Sequence, residues 1–551
     1  MAVLIGAWPG IATWAAPPPV PNAGTILQQA QPTTPPAPAP TNSGLSIEQT
    51  PAATLPPSVP FLVSHIEITG NTRIGTATLH ALVASAEGQR MTLPELTALT
   101  ARITDYYHAH GYPLARAIVP AQTLRDGVVR IEILEARYSQ VSLDNHSRVN
   151  SRLLESTLSD LKSGSVVTES SLDRSLLLLS DIPGLTTTAT LKPGAEVGTS
   201  DLQVNAQSSQ RIAGSVTVDD SGDRYNGRAR IGASVSVLNP LHQGDVLGLN
   251  ALSSGSGMNY GRVSYDALVD GEGTRVGAGY SGLHYRLSGR LSDLDARGDA
   301  QDATVYVRQP IVRGRNANLY GQAQYDHLQL NDDIGASDIE TRRHLNNLAA
   351  GLSGDWRDSW LTGGLNTWAA TWTHGRVSFD NTAAESADAA GVHTQGEFSK
   401  WNLSLGRLQR LGALDALYVA VSGQWASRNL DPSQQLVLGG PLSVRAYDVS
   451  AISGDTGWEL TTEVRHTFPQ AWHGQWQAIA FVDDAHLTID KNVFAPGPNS
   501  VSLNGAGVGL NWAGPDRWTA GLTLAAPIGS RPGLLGSTNS VRAWAQVNKA
   551  F

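Results

Sequence analysis

From Arg211 to Phe551 the sequence runs as about sixteen short segments, spaced by roughly twenty residues, in which apolar and polar side chains alternate. Period two belongs to strands with two unlike faces, so a helical fold is excluded for this stretch. In Gly457–Phe468 (GWELTTEVRHTF), Trp458, Leu460, Thr462, Val464 and Phe468 share one face, while Glu459, Thr461, Glu463 and Arg465 share the other. Leu417–Ser427 (LYVAVSGQWAS) and Ser540–Phe551 (SVRAWAQVNKAF) read the same way. An even number of such strands suits a closed antiparallel barrel, apolar toward lipid and polar toward a wet lumen. A soluble sandwich alternates equally, with its apolar face turned to a packed core.

Aromatic placement separates the two. Tryptophans recur near segment ends (Trp356, Trp360, Trp401, Trp458, Trp472 and Trp518), where the girdles of a membrane barrel would stand. The last segment ends in Phe551, with Val541, Ala543, Ala545 and Val547 on one face. A terminal aromatic on an amphipathic strand is the pattern that bacterial outer-membrane barrels present to their assembly machinery, and Phe551 is read as that assembly signal. The expectation is a transmembrane barrel over 211–551, in contact with outer-membrane lipid.

The segments ahead of the barrel differ in kind. Val3–Ala16 (VLIGAWPGIATWAA) is too short for a membrane-spanning helix and is broken by Pro9. With Thr13–Ala15 as a cleavage site it reads as a signal peptide over 1–16 whose start is truncated or mis-called, since Lys and Arg are missing before it. Residues 17–60 are rich in Pro, Ala, Thr and Gln and are expected to form an extended linker. Residues 61–136 read as strand, helix, helix, strand, strand. The second helix starts at a Thr92/Glu95 capping box and carries Leu96, Leu99, Ile103 and Tyr106 as its apolar face. Residues 137–210 repeat that order, which predicts tandem modules, each a small sheet covered by two helices.

The residue inventory narrows the chemistry. The chain has no cysteine, which removes thiolate metal sites, thiol catalysis and disulfides. Its 39 basic and 48 acidic residues give a formal charge of -9 with no basic block, which argues against a nucleic-acid partner. No nucleophile elbow, H-E-x-x-H helix or phosphate loop occurs, so no catalytic residue is assigned. The GAGVGL run, Gly505–Leu510, is read as structural glycine in a strand. His108 and His110 are read as a solvated helix end, and Asp219–Arg224 (DDSGDR) as an exposed hairpin turn; no metal ligand and no cofactor are assigned.

Two stretches are neither ordinary strand nor ordinary turn. Ser443–Gly457 (SVRAYDVSAISGDTG) alternates poorly and holds Arg445, Asp448, Gly454, Asp455 and Gly457. Ala478–Leu487 (AIAFVDDAHL) alternates so that Gln477, Phe481 and Asp483 share a face. If that face is the lumen, Asp483 is a carboxylate in need of a partner, and Arg445 on its long loop could supply a two-pronged one or remain a solvated loop charge.

In order along the chain stand ITGNT, YYHAHGYPLARAIVPAQTLRDGVVRIEILEA, a second such unit, the barrel, LGGPLSVRAYDVSAISGDTGW and FVDDAHL. Over residues 61–551 this order resembles the two-partner secretion transporters (TpsB, haemolysin-activator type) of the superfamily that includes BamA. The resemblance implies two tandem POTRA domains (β-α-α-β-β), 61–136 and 137–210, in the periplasm and a barrel of about sixteen strands in the bacterial outer membrane. It implies an ATP-independent translocator that captures an unfolded TpsA-like exoprotein and secretes, and thereby activates, it through the pore. The family loop motif V-R-G-[FY] is matched by Val444, Arg445, Ala446 and Tyr447, with Gly454 and Asp455 further along the loop. The strand motif F-x-D-x-G is matched by Phe481, Asp483 and Ala485. In the family this sixth extracellular loop folds inward and its arginine contacts the strand aspartate, so Arg445 is expected to latch onto Asp483.

Both motif glycines are alanine here, and alanine disfavours positive φ. The family also has a pore-plugging helix before its first POTRA domain. Here that region is Pro-rich, with Ser43–Thr50 the only stretch able to form a helical turn, and no plug residues are assigned. The alternative function is an assembly and insertion factor of the BamA type, which typically carries more POTRA units. A passive porin with an adhesive surface would not explain the tandem units, and an outer-membrane enzyme lacks a catalytic cluster.

Overall fold

The computed structural model describes residues 20–31, 41–42, 44–48, 58–470, 473–529, 532–535 and 540–551. The expected signal region 1–16 and Trp472 lie outside these. Between 17 and 60, where an extended linker is expected, the structure instead holds α1 (Ala23–Ala30) and β1 (Leu45–Ile47). Within Ser43–Thr50, where a helical turn is expected, Leu45–Ile47 form a strand instead. Asn22 caps α1 reciprocally with Thr25, but eight residues are too few for a helix to stand alone in water. Its stability comes from where it sits: Ile26, Leu27 and Ala30 pack against Met258, Tyr260, Leu283 and Tyr285 on the inner barrel wall.

The first module contains β2 (Phe61–Val63), β3 (His65–Thr69), α2 (Thr76–Val83), β4 (Gln89–Met91), α3 (Leu93–Ala109), β5 (Arg116–Ile118) and β6 (Val128–Leu134). β6 is the central strand, parallel to β3 and antiparallel to β5, and its Val129, Ile131 and Ile133 face the helices. α3 begins at the Thr92/Glu95 capping box. Its buried line is Leu96, Thr100, Ile103 and Tyr107, because eleven residues on from Leu96 a 3.6-residue repeat returns to Tyr107 and not to Tyr106.

ITGNT has a mechanical role in this module. Gly70 takes φ +82° beside the Ile133 carbonyl, where a Cβ would stand 2.4 Å from that oxygen. The turn then aims the Thr72 and Arg73 amides at Glu135 Oε1, both at 2.8 Å, while the Thr72 hydroxyl bonds Oε2 and the Tyr107 hydroxyl donates to Oε1 at 2.9 Å. Burial alone would push the Glu135 carboxyl upward; the donors from Thr72, Arg73 and Tyr107 outweigh it and hold the group below its usual range.

The second module comprises β7 (Arg137–His146), α4 (Ser151–Thr157), α5 (Glu169–Ser180), β8 (Leu185–Pro193) and β9 (Thr199–Ser208). Asn145 repeats the turn bonding of Asn71: Asn71 Nδ2 reaches the Ile74 carbonyl and Thr76 Oγ1, and Asn145 Nδ2 reaches the Val149 carbonyl and Ser151 Oγ, all at 2.9 Å. The sheet order is β1-β8-β9-β7, so the N-terminal strand β1 is added in parallel along β8. Asp181 on this module grips Arg313 on the barrel through two bonds of 2.7 and 2.8 Å, and Arg174 pairs with Glu272 at 2.8 Å. The module is thus seated on one rim of the barrel.

Among the described residues sixteen antiparallel strands, from Ile212–Asp219 to Arg542–Ala550, close the barrel. Closure pairs Ser215–Asp219 with Gln546–Ala550, so no strand edge is left unpaired. Val216, Val263, Val305, Leu348, Leu405 and Val508 stand exposed on the outer face, as do Trp356, Trp360, Trp401, Trp458 and Trp518. In water such a surface would aggregate; in a bilayer it is the solvated face. No helix among the described residues is long and apolar enough to cross a membrane, and the crossing is made by strands.

Candidate functional site

The chain between the barrel strands Asp415–Ala426 and Thr456–Thr467 does not form an ordinary surface loop. A short hairpin, Leu436–Leu438 paired with Ile452–Gly454, carries its tip into the lumen. Val444, Ala446 and Tyr447 are buried there with Phe481, Ala485 and Leu503 of the wall. Gly505 makes this close seat possible, since a Cβ at that position would meet the Ala446 Cβ at 2.6 Å. Neither Ala446 nor Ala485 takes a positive φ, so alanine is accommodated at the two motif glycine positions without left-handed backbone.

Arg445 is 8 % exposed and Asp483 1 %. The guanidinium meets the carboxylate side-on, Nε to Oδ2 at 2.9 Å and Nη2 to Oδ1 at 2.7 Å, and the Arg445 amide adds a third bond to Oδ2 at 3.0 Å. A second carboxylate closes the other end: Nη1 donates to Glu463 Oε1 at 2.6 Å, while Arg465 takes Oε2 at 2.6 Å. Thr461 Oγ1 donates to Asp483 at 3.0 Å, the guanidinium carbon lies 3.4 Å from the centre of the Phe481 ring, and Trp544 Nε1 donates to the Arg445 carbonyl at 2.8 Å. Lysine has no planar fork with which to satisfy two carboxylates and stack on a ring.

Other loop residues extend the attachment. Asp448 receives Arg542 at 2.7 Å and Arg228 at 2.9 Å, which lie on the last barrel strand and in the turn between the first and second. The DDSGDR segment therefore does more than turn, for its Arg224 also faces Asp448, at 3.5 Å. At the loop base, buried Asp455 accepts the amides of Leu430 and Lys491 at 3.0 and 2.8 Å. Gly454 passes so near the wall that a Cβ would stand 2.6 Å from the Thr488 carbonyl. Phe551 exchanges backbone bonds with Gly214 at the seam, Phe551 N to Gly214 O at 2.9 Å and the return bond at 3.2 Å.

Sequence reasoning leaves out Glu463 as a partner, Trp544, Asp448 with its arginines, and a second buried arginine. Arg343 bonds Asp431 through Nε and Asp332 through Nη1 at 2.7 Å. Asp332 also accepts the first amide of α1, Ala23 N, at 2.7 Å and the Tyr285 hydroxyl at 2.7 Å. Gly24 lies against Ser433 of the loop, and Gln29 Nε2 reaches Ser450 Oγ at 2.7 Å, so helix and loop touch directly. Beside helix and loop the lumen keeps a cavity of about 1590 Å³ lined by Leu27, Gln28, Arg262, Asp302, Leu442 and Ser443 among others. The lumen is thus occupied by two elements of the chain itself, α1 and the loop.

Residues 198–512 match the family described as haemolysin secretion/activation protein ShlB/FhaC/HecB, and residues 61–136 match the POTRA domain, ShlB-type. The chain belongs to the ShlB/FhaC/HecB family. The chain is similar to the heme/hemopexin transporter protein HuxB of Haemophilus influenzae (strain 86-028NP), 26 % identical over 487 residues, 87 % of this chain and 85 % of that one. The outer membrane transporter CdiB of Escherichia coli O6:K15:H31 is 27 % identical over 486 residues, 85 % of this chain and 79 % of the relative. Solved CdiB from Escherichia coli shares the fold at a TM-score of 0.71, 24 % identity and 92 % coverage of both chains. BamA from Haemophilus ducreyi lacking POTRA domains 1–3 shares it at a TM-score of 0.53 and 15 % identity, covering 89 % of this chain and all of that one. As a member of the ShlB/FhaC/HecB family the protein is an outer-membrane transporter of the two-partner type, which secretes a partner exoprotein through its barrel, with its POTRA region in the periplasm. Family membership favours this reading over that of an assembly factor.

Proposed function

We propose that Arg445, with Asp483 and Glu463, is the latch that holds the lumenal loop in a transport-competent position, and that it acts on the pore rather than on substrate. The observation that carries this is the burial of one guanidinium between two wall carboxylates, fastened at three of its nitrogens. Val444, Ala446 and Tyr447 seat the tip, Gly454 and Asp455 fix its base, and no residue is given a catalytic role.

Residues 61–136 and 137–210 act as the two capture modules and 211–551 as the pore. The exoprotein, unfolded on arrival, pairs by its backbone with a module edge, a mode that tolerates many sequences. β8 is competent for such addition, because Leu45–Ile47 already pairs along it. Passage then requires α1 to vacate the lumen, and folding of the cargo outside opposes its return. Phe551 and the strand that carries it are the signal read by the barrel assembly machinery, and the exposed apolar band contacts outer-membrane lipid. The partner is a secreted TpsA-like exoprotein, activated by its release.

The test is co-expression with a neighbouring candidate exoprotein, assayed in the medium. Arg445→Ala is expected to reduce secretion while surface levels and heat-modifiable mobility of the barrel stay normal. Unchanged secretion at normal surface levels removes the latch role.

A further inference from the structure

Far from the lumen, on the first POTRA module, three side chains from three elements converge. His65 opens β3, His80 lies on α2, and Glu87 follows the helical turn Ala84–Ala86. His65 Nδ1 stands 2.8 Å and His80 Nε2 3.1 Å from the same oxygen, Glu87 Oε1, and one ligand atom from each residue lies within 4.8 Å of the others. The carboxylate is fixed from behind, since the Ile66 amide donates to Oε1 at 2.8 Å. That bond, followed by the one from His80, holds the Glu87 carboxyl below its usual range.

Two imidazoles crowding one carboxylate oxygen is an arrangement a cation can exploit. Without one, each ring must turn a proton toward Glu87; with one, both nitrogen lone pairs and the carboxylate share a single positive centre. In a tetrahedral shell with ligands about 2.0–2.2 Å from the metal, neighbouring donor atoms stand roughly 3.3 Å apart. The two short separations here need to open by a few tenths of an ångström. His65, with 62 % of its side chain exposed, is free to rotate to that distance. The same exposure gives the ion a path in and leaves a position for water.

We infer that the first POTRA module binds a divalent cation of the zinc type through His65, His80 and Glu87, with water completing the shell. Two nitrogens and one oxygen suit Zn²⁺ and its first-row neighbours and do not suit Ca²⁺ or Mg²⁺, which take oxygen shells. Other imidazole–carboxylate contacts of the chain, such as His146 with Asp144 and His466 with Asp415, join one ring to one carboxylate. A bound ion would tie the start of β3 to α2 and to the turn into β4, fastening the module where the N-terminal segment enters it. The site is independent of the transport reading.

The test uses the untagged full-length protein in detergent micelles, stripped with chelator and titrated with Zn²⁺ by calorimetry, with Mg²⁺ in parallel. One saturable Zn²⁺ equivalent is expected, absent with Mg²⁺. His65→Ala, His80→Ala and Glu87→Gln should each weaken it at least about tenfold, and His146→Ala should leave it unchanged. Because His65 is exposed, its variant keeps the fold even if His80→Ala does not. Wild-type protein loaded with Co²⁺ should show the intense visible absorption of a four-coordinate site, erased by Zn²⁺ and missing in His65→Ala. Isotherms of His65→Ala and Glu87→Gln that overlay the wild type, or a wild type without a saturable equivalent, overturn the inference.

Discussion

Two of the buried arginines, Arg445 and Arg343, each bridge two carboxylates in the lumen, and they face opposite ways. Arg445 comes from the loop and grips Asp483 and Glu463 on the wall; Arg343 comes from the wall and grips Asp431 on the loop together with Asp332 beside it. Besides the Asp448 pairs, these two clusters fasten the loop from both sides, one by a cation it gives and one by a cation it receives. Asp332 also holds the first amide of α1, where the positive end of a helix dipole favours an anion, so the Arg343 cluster secures both the helix and the loop and the Arg445 cluster the loop alone. Each cluster was made by folding, and removing one member leaves charge stranded in a poorly solvated place, at a cost of roughly 3–5 kcal/mol.

Breaking the stronger side of this comparison comes first. Arg445→Ala strands Asp483 and Glu463 together and should lower secretion of a co-expressed partner at least about tenfold, the order expected from a penalty of several kcal/mol, while the barrel inserts normally. Arg343→Ala should act on the helix instead: with Asp332 and Asp431 repelling each other, α1 leaves the lumen more often, and single-channel conductance in planar bilayers should rise while secretion falls less than in Arg445→Ala. Equal conductance changes in the two variants would show that the clusters are one unit. Arg445→Lys keeps the charge and loses the fork, so it should fall between Arg445→Ala and wild type in secreted cargo.

The smallest effect sharpens the contrast from outside the lumen. Glu135 is a buried carboxylate held by neutral donors, not by an arginine. Its folded pKa lies below the unfolded value of about 4.3, so its contribution is complete above that pH and is lost as pH falls through the folded pKa. Glu135→Gln should cost the first module about 1 kcal/mol at pH 7, since the amide oxygen keeps most of the donors and only charge assistance is lost. The difference from wild type, followed by limited proteolysis of the full chain, should shrink steadily below pH 4.

Much of this was legible in residue order. Period two over 211–551 specifies a two-faced sheet whatever surrounds it, and the Thr92/Glu95 box marks a helix start through bonds three residues long. Arg445 and Asp483 were legible for another reason, since each sits in a motif that resembles a family pattern. Arg343, in TRRHLNN, has no such mark; its partners lie 11 and 88 residues away, and nothing local distinguishes it from Arg342, which is exposed and pairs with Glu340. Glu463 could be placed on the lumenal face but not given a partner, because which loop residue meets it depends on how the hairpin folds inward.

What the sequence determined by itself is whatever rests on short-range periodicity and capping: the barrel strands, the paired modules, the inward face carrying Asp483. Only tertiary structure decided that Ala23–Ala30 is a helix and Leu45–Ile47 a strand. Flanked by prolines and too short to be stable alone, neither has a local preference strong enough to read. The barrel wall supplies α1 with an apolar surface and an anion at its first amide, and the exposed edge of β8 supplies β1 with hydrogen-bond partners. Those surfaces exist only once residues hundreds of positions away have closed around them.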